Sequence, residues 1–382
     1  MRVLHLISTL DIGGAEQNLS RLVTAMDRGS FTNQVVCMTR PGPLGPYLEG
    51  SGIPVHSLHM RKGLPELRAV LKLRFWASLF KPDAVQCWMY HANLLGLTLM
   101  KPAKTLWNIR CSDMDLSRYG PLYRLTVASG ARLSRIPSAI VTNSHAGREA
   151  HTSLGYRPRK WVIIPNGFDT EIFKPDREAG EKVRKELGID RDALLIGLIA
   201  RFDPMKDHAC FFEAANMLLD SNSRIHFILA GRGISPSNRD LLSLINTDRH
   251  APRIHLLGER SDVPHVLNAL DIATSSSVSE GLPNIVGEAM ASALPCAVTD
   301  AGDSKILVGD AGFVIPKKNP RMLCAAWQRI LDLGPDGRRQ MGERARKRII
   351  DHYSLASMVS SYEALYKSLM TEKGSSETFG SP

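Results

Sequence analysis

Residues 279–293 read Ser-Glu-Gly-Leu-Pro-Asn-Ile-Val-Gly-Glu-Ala-Met-Ala-Ser-Ala, and two carboxylates in this run, Glu280 and Glu288, stand eight positions apart across a Gly/Pro turn. An apolar segment ending in small hydroxyl residues, Asp271 to Ser277, precedes the turn, and Ile285 to Ala293 follows with the small-residue pattern of a helix. A strand, a tight turn and a helix N-terminus are therefore expected in succession, with Pro283 suited to the first helical turn. Such a turn presents backbone N–H groups and the positive end of a helix dipole at a strand end, which makes an anion-binding corner. Glu280 precedes the helix and Glu288 lies about two turns along it. The two carboxylates can thus accept hydrogen bonds from separate pairs of vicinal hydroxyls on one extended polyol, as the sugar and the ribose of a sugar nucleotide present them. Residue types alone leave a second reading open, in which Glu280 is a dipole-stabilised helix start and Glu288 a solvated surface residue.

Outward from this corner, apolar runs alternate with helix-length amphipathic segments, the pattern of helices covering a parallel sheet. In the first half, strands are expected at Val3–Ile7, Gln34–Met38, Ala84–Cys87, Thr105–Asn108, Ala139–Thr142 and Trp161–Ile164, with helices at 15–26, 64–80, 92–100, 123–134 and 146–154. The pattern then restarts with strands at Leu194–Ala200, Ile225–Ala230, Ile254–Leu257, Ile272–Ser275 and Ala297–Thr299, and helices near 209–219, 239–247, 263–270 and 285–293. The turn Pro165-Asn166-Gly167-Phe168-Asp169 marks the break. The expected fold is α/β, two doubly wound Rossmann-like domains in tandem, 1–168 and 169–353, facing a cleft at the carboxyl ends of their strands. Helices at 320–331 and 337–351 precede a last one, about 354–371, long enough to pack back on the first domain; the polar tail 372–382 reads as disordered.

At 382 residues, two domains of ordinary size are expected. The six cysteines, Cys37, Cys87, Cys111, Cys210, Cys296 and Cys324, are scattered without a CxxC pair. They suggest neither a disulfide framework nor a zinc site. Met1–Leu10 has a buried-strand pattern rather than that of a signal peptide. No run approaches 18 uncharged apolar residues, so a cytoplasmic protein without a membrane span is expected. The net charge of +10 is unevenly placed: residues 1–170 hold 21 Lys+Arg against 10 Asp+Glu, the remainder 27 against 28. A basic first half suits a nucleic acid, an anionic membrane surface or an acidic substrate. Between Leu64 and Phe80, the apolar residues Leu67, Val70, Leu71, Phe75 and Leu79 follow a helical period interrupted by Arg68, Lys72 and Arg74, with Trp76 added. Such a helix either lies in a lipid headgroup layer or packs its stripe on a core. The charge asymmetry favours the anionic inner face of a cell membrane.

Other pieces of a site fall at strand ends. Leu10-Asp11-Ile12-Gly13-Gly14-Ala15-Glu16 puts Gly13 and Gly14 before a helix, where a backbone can approach an anion closely. It is not a GxGxxG fingerprint. Ala200-Arg201-Phe202-Asp203-Pro204-Met205-Lys206-Asp207 brackets a turn with two cations that can converge on one diphosphate without a metal. The glycines of Ala230-Gly231-Arg232-Gly233 and the segment Leu257-Gly258-Glu259-Arg260-Ser261-Asp262-Val263-Pro264 could each receive a nucleotide base or simply be turns.

Together these motifs resemble the GT4 family of retaining glycosyltransferases of the GT-B fold (glycosyl transferases group 1). The Glu280-Gly281-Leu282-Pro283-Asn284 run ending at Glu288-Ala289-Met290-Ala291 looks like that family's E-x7-E signature. The Gly-Gly-Ala-Glu start, the Ala-Arg-Phe…Lys turn, the Pro-Asn-Gly…Asp linker and the Gly258…Asp262-Val263…Asp271 segment match in order over about residues 2–370. The resemblance implies a metal-independent hexosyltransferase without a cofactor. Arg201 and Lys206 would hold the donor diphosphate, Glu280 the sugar hydroxyls and Glu288 the ribose. Gly281, Leu282, Pro283 and Asn284 would surround sugar and phosphate, Gly13, Gly14 and Gly231 would line the donor, and Arg260 would lie beside the base. Many relatives carry a histidine after the Thr105–Asn108 strand; here the nearest match is Arg110, a permanent cation that cannot serve as a base and suits an acceptor phosphate. His91 is the other candidate for acceptor or donor sugar. Ala293 stands where a glycine usually closes the helix, which should cost cap stability.

The expected activity is transfer of a sugar from a nucleoside-diphosphate sugar, a UDP-sugar ahead of GDP-mannose, to a lipid-linked or anionic glycan in bacterial surface polysaccharide assembly (O-antigen, capsule or exopolysaccharide). A sugar-nucleotide 2-epimerase of the same fold is the alternative. A nucleic-acid binder is disfavoured, because no aromatic-rich basic platform or recognition motif is present.

Overall fold

Strands that are apolar along their whole length can only be buried on both faces, and two parallel sheets result. The computed structural model describes residues 1–61, 66–99, 105–112, 116, 119–245 and 250–371. In the first sheet, β1 (Arg2–Ile7), β2 (Thr32–Cys37), β3 (Val55–Ser57), β4 (Ala84–Trp88), β5 (Thr105–Ile109), β6 (Ala139–Thr142) and β7 (Trp161–Ile163) lie in the order β3-β2-β1-β4-β5-β6-β7. In the second, β8 (Leu194–Ile199), β9 (Ile225–Ala230), β10 (Ile254–Leu256), β11 (Ile272–Ser275), β12 (Cys296–Thr299) and β13 (Gly312–Ile315) lie in the order β10-β9-β8-β11-β12-β13. Both are doubly wound: strand order reverses between β1 and β4, and again between β8 and β11. The chain divides into two compact units, one of Met1–Gly167 with the chain from Leu355 on, the other of Phe168–Ser354.

Every strand expected from the sequence is present, with ends shifted by a residue or two, but the edge strands β3 and β13 were not expected. Three or four residues at a sheet edge carry too little periodicity to stand out. Three helices were missed as well. Leu44–Gly50 is hidden by its Gly and Pro, Ser304–Val308 is short, and Arg177–Glu186 is mostly charged. The last is started by Asp176, whose side chain accepts from Ala179 N at 3.0 Å, and it presses so closely on the 263–268 helix that a Cβ at Gly180 would lie 2.1 Å from Asn268 O. The expected 239–247 helix ends at Leu242, and Pro283 caps its helix, Asn284–Ala291, instead of opening the first turn. The 64–65 start of one expected helix, Met100, the 246–247 end of another and the 372–382 tail lie outside the described residues.

In the first unit, Leu355–Thr371 inserts Met358, Tyr362, Tyr366 and Leu369 among Val3, Leu22 and Trp88, on one face of the sheet. The opposite face is covered by Leu67–Phe80 and Pro121–Leu133. Here the core-packed alternative does not hold for the larger apolar residues. Ala69, Leu73 and Ala77 meet the sheet, whereas Leu67, Leu71, Phe75 and Leu79 are 55–76% exposed beside exposed Arg68, Lys72 and Arg74. Pro121–Leu133 repeats the arrangement with exposed Leu122, Leu125 and Arg124. Among the described residues, no helix is long and apolar enough to cross a membrane.

Left-handed or otherwise positive φ at non-glycine residues occurs at several element ends, Ala293 and Met89 among them. Ala293 takes φ 59° to close the Asn284–Ala291 helix, with Ala293 N–H on Met290 O and Leu294 N–H on Ala289 O, the pair of bonds that a glycine would make without the left-handed penalty. Met89 takes φ 69° between β4 and the Tyr90–Gly96 helix.

One buried group gives the first unit a pH dependence. His5 on β1 is fully buried, and its Nδ1 faces the Trp88 indole N–H at 3.4 Å, so Nε2 carries the proton toward Asn33 Oδ1 at 3.1 Å. Burial lowers its pKa from 6.5 to about 4. The unfolded chain binds this proton below pH 6.5 and the folded chain only near 4, so stability is full above 6.5 and is lost as pH falls through that window. The expected loss is up to about 1.4 kcal/mol per pH unit. Chemical denaturation at pH 7.5, 6 and 5 should show it, with a shallower slope in His5→Asn; equal slopes in the two proteins would refute the assignment.

Candidate functional site

The second unit's site follows from the reversal of strand order. The loops leaving β8 and β11 diverge and open a crevice at their carboxyl ends. After β8, Ala200 N–H bonds to Ala230 O and Phe202 N–H to Arg232 O, carrying the strand pairing past the sheet edge. Asp203 then caps the short turn Pro204–Lys206 by accepting from Met205 N at 2.9 Å. Asp207, at φ 48°, reverses the chain into the His208–Ser221 helix. After β11, Ser276 Oγ donates to Lys206 O at 2.7 Å and Val278 N–H to Met205 O at 2.9 Å, so the two loops are fastened together.

This fastening brings Lys206 and Glu280, 74 positions apart in sequence, to a Nζ–Oε1 distance of 2.5 Å. Their side chains are only 19% and 13% exposed. Ser277 Oγ donates to the same carboxylate oxygen at 2.7 Å, and Thr299 Oγ1 holds Ser277 O at 2.5 Å. Arg201 is half exposed, with its Nε on Asp203 Oδ2 at 3.0 Å. Burial pushes the Asp203 carboxyl up, but the Met205 N–H, the Arg201 guanidinium and the Lys206 charge outweigh it and hold the group below the usual carboxylate range. Two cations, Arg201 and Lys206, and two carboxylates, Asp203 and Glu280, therefore meet at the carboxyl ends of β8 and β11. Glu288 sits on the Asn284–Ala291 helix at 8% exposure, which excludes the solvated-surface reading.

Close backbone approach shapes the rest. Gly231, at φ 143°, lies where a Cβ would be 2.3 Å from Ala200 O, and its N–H donates to Gly258 O at 2.7 Å. Beyond Gly258, Arg260 makes two hydrogen bonds to Asp262 and two to Glu186, so its guanidinium is occupied by carboxylates. Gly281 O accepts from Asp303 N at 2.8 Å, and a Cβ at Gly302 would lie 2.0 Å from Glu280 O. Leu282 and Pro283 are buried; Gly281 and Asn284 remain partly open.

The first unit collects its pieces at its own reversal point. Gly13 caps the Gly14–Ala25 helix after β1 in extended conformation, but the Glu16 carboxylate folds against it, within 2.4 Å of a Cβ built there. The helix start thus holds an anion of its own. His91 is exposed in the first turn of the Tyr90–Gly96 helix that follows β4, its ring 5.8 Å from Tyr123. Arg110 follows β5 and bonds to Asn108, Asn166 and Tyr362.

Sequence reasoning missed three contributors. His208 is 3% exposed beside Phe202, and neither ring nitrogen has a hydrogen-bond partner among the described residues. Burial first, then the Lys206 charge, lowers its pKa to about 4, so it is neutral at pH 7. Its place two residues beyond Lys206 was the available signal. The Gly302-Asp303 turn after β12 and the Ser277/Thr299 pair, which brace the Glu280 corner, had none beyond a turn signal. All six cysteines are free, and among the described residues no three His, Cys, Asp or Glu side chains gather as a metal site.

In doubly wound sheets the reversal point is where ligands bind. Family models divide the chain by its two units. Residues 13–167 match a glycosyl transferase 4-like domain, and residues 193–332 match glycosyl transferases group 1. A UDP-Gal:alpha-D-GlcNAc-diphosphoundecaprenol alpha-1,3-galactosyltransferase of Escherichia coli is 29% identical over 219 residues, 56% of this chain and 56% of that relative, so the match spans little more than half of it. The lipopolysaccharide core biosynthesis mannosyltransferase LpsB of Rhizobium meliloti (strain 1021) is 25% identical over 84% of this chain and 90% of its own length. Among solved structures, Anabaena HepE in complex with UDP superposes with a TM-score of 0.83 at 20% identity, covering 96% of this chain and all of that one. The chain belongs to the GT4 glycosyltransferases of GT-B fold.

The bracing of Glu280 is testable at Gly302. Gly302→Ala adds a left-handed backbone penalty of about 1–2 kcal/mol and a clash with Glu280 O. Gly188→Ala, at φ 63° with nothing within 4 Å, adds the penalty alone. Thermal melts should show Gly302→Ala losing clearly more than Gly188→Ala. Equal losses would mean that the corner yields freely.

Proposed function

We propose that the protein transfers a sugar, with retention, from a nucleoside-diphosphate sugar to a lipid-linked saccharide in bacterial surface polysaccharide assembly. The observation that carries this reading is the meeting of Lys206 and Glu280 at the second sheet's reversal point, with Arg201 beside them. Lys206 and Arg201 take the donor diphosphate, Glu280 the hydroxyls of the transferred sugar, and Glu288 the ribose. Gly281, Leu282, Pro283 and Asn284 surround sugar and phosphate, Gly231 lies near the nucleotide, and Arg260 buttresses that side through its carboxylates. As the bond from C1 to the diphosphate oxygen breaks, its electron pair goes to the diphosphate. The acceptor hydroxyl forms the new bond to C1 on the same face and passes its proton to a departing phosphate oxygen. Fixed cations aimed at the leaving group lower the barrier electrostatically, and in this reading the reaction proceeds without a divalent metal. The Escherichia coli relative, which by name uses UDP-Gal and a diphosphoundecaprenol acceptor, supports a UDP-sugar and a lipid-linked acceptor; the Rhizobium relative makes GDP-mannose the next donor to try.

A thermal-shift panel of UDP-, GDP- and ADP-sugars tests the donor. One nucleotide sugar should stabilise the native protein, and Glu288→Ala should lose that shift. Lys206→Ala should lower turnover by about 10²–10³-fold, and EDTA should leave native turnover unchanged. Stabilisation by none of the sugars would defeat the transferase reading, and conversion of donor without acceptor would make the protein an epimerase.

The acceptor's lipid places the reaction at the membrane's inner face. The outward stripe Leu67, Leu71, Phe75 and Leu79 with Arg68, Lys72 and Arg74, and its counterpart Leu122, Leu125 and Arg124, carry this part of the reading. Apolar side chains flanked by cations fit an anionic headgroup layer. In flotation assays the protein should rise with phosphatidylglycerol-containing vesicles and not with neutral ones, and Leu71→Asp/Phe75→Asp should stay behind. Indifference to lipid charge and to the substitutions would rule the surface out.

A further inference from the structure

At the carboxyl end of the first sheet, Arg110 is a cation held only by neutral groups. Its Nη1 donates to Tyr362 Oη at 3.2 Å and to Asn108 Oδ1 at 3.4 Å, and its Nη2 donates to Asn166 Oδ1. Its guanidinium lies over the Trp88 ring, 5.6 Å from the centroid. Tyr362, Asn108 and Trp88 are fully buried, Asn166 is 3% exposed, and Arg110 itself is partly open. No carboxylate among the described residues pairs with it. Burial pulls its pKa down, against a smaller upward pull from Tyr362.

A partly desolvated guanidinium that only dipoles satisfy is an unfavourable arrangement, because a charge drawn out of water needs a counter-charge. Arginine cannot escape by losing its proton. The chain nevertheless fixes it in place: Asn108 Nδ2 donates to the same Tyr362 oxygen at 2.7 Å, and Asn143 Nδ2 reaches the same Asn166 oxygen at 3.3 Å. Three N–H bonds are used. The Nε–H and the second Nη2–H have no acceptor among the described residues, and they sit on adjacent nitrogens whose spacing matches the two oxygens of a carboxylate or phosphate. Arg110 also follows the strand next to β4, and the helix after β4 bears His91, so it borders the first unit's reversal point.

We propose that Arg110 is a receptor for an oxyanion borne by a saccharide substrate, either a phosphate on the acceptor or the carboxylate of a uronic sugar. The inference rests on the glycosyltransferase reading for the bearer of the anion, not for the site. The cluster is preformed, so the ligand supplies the missing counter-charge without reorganising the cage, and a neutral substrate leaves the cation uncompensated.

Calorimetric titration of the full chain with inorganic pyrophosphate, glucuronate and neutral glucose tests this, in the native protein and in Lys206→Ala, Arg110→Gln and Arg110→Lys. Lys206→Ala removes one of the second unit's two anion-binding cations, Arg201 being the other. At least one anion should still bind Lys206→Ala, and adding Arg110→Gln should weaken it by about 10-fold or more, with glucose unaffected. Binding by pyrophosphate alone assigns the group to a phosphate, and binding by glucuronate alone to a uronic sugar. If Arg110→Gln fails to fold, Arg110→Lys keeps the charge without the fork, and the anion-dependent rise in Tm should shrink by at least half. Anion binding abolished by Lys206→Ala, or unchanged by both Arg110 variants, overturns the proposal. Nucleotide-sugar binding scored alongside separates the two readings: its absence with Arg110-dependent anion binding intact fails the donor assignment alone, and its presence with Arg110 indifferent fails this one alone.

Discussion

In each sheet of this protein, one pair of neighbouring strands hands the chain away in opposite directions, and that topological constraint organises the rest. Helices cannot cover the gap between β8 and β11, because each strand's connection leaves toward its own side. The loop ends exposed there must satisfy their own backbone groups. They do so by bonding to one another, Ser276 and Val278 to the Pro204–Lys206 turn, and this mutual satisfaction sets the ammonium of Lys206 on the carboxylate of Glu280. An ion pair so shielded adds little net stability, since desolvation offsets much of the attraction. Its value is positional: it fixes two charges at the carboxyl ends of β8 and β11.

The corner is rigid because it is crowded. Gly302 has no room for a Cβ against Glu280 O, Gly231 has none against Ala200 O, and Gly287 admits the Phe168 ring where a Cβ would lie 2.1 Å from its Cζ. Phe168 is fully buried in the second unit's core, so the helix that bears Glu288 is seated by packing as well as by its cap. Strain is accepted where it aims a group: Asp207 goes left-handed directly after Lys206, and Ala293 closes the Glu288 helix at some cost.

Much of the fold was legible because a buried parallel strand has to be apolar along its whole length, which a single sequence displays. β1, β6, β9 and β11 are plain in it. The elements that escaped depend on partners. Arg177–Glu186 is a charged segment whose helix is secured by Asp176 and by contact at Asn268, and β3 is half-buried edge pairing. Leu67–Phe80 shows the converse error. Its larger apolar residues mark a helix correctly but not its inner face, because Leu73 with the small Ala69 and Ala77 packs against the sheet and the other bulky residues are left outside.

For the site, the sequence by itself determined the chemical inventory: two cations after one strand, a carboxylate pair across a Gly/Pro turn, glycines at strand ends and a basic first half. Those are properties of residue type and local spacing, which survive without a fold. Only the tertiary structure decided which charges meet. Lys206 joins Glu280 across 74 residues, Arg260 is taken by Glu186, Glu16 covers the Gly13 corner, and Arg110 is left among amides and a phenol. Charge pairing acts over a few ångströms of space, and that proximity comes from strand order, which local sequence does not encode.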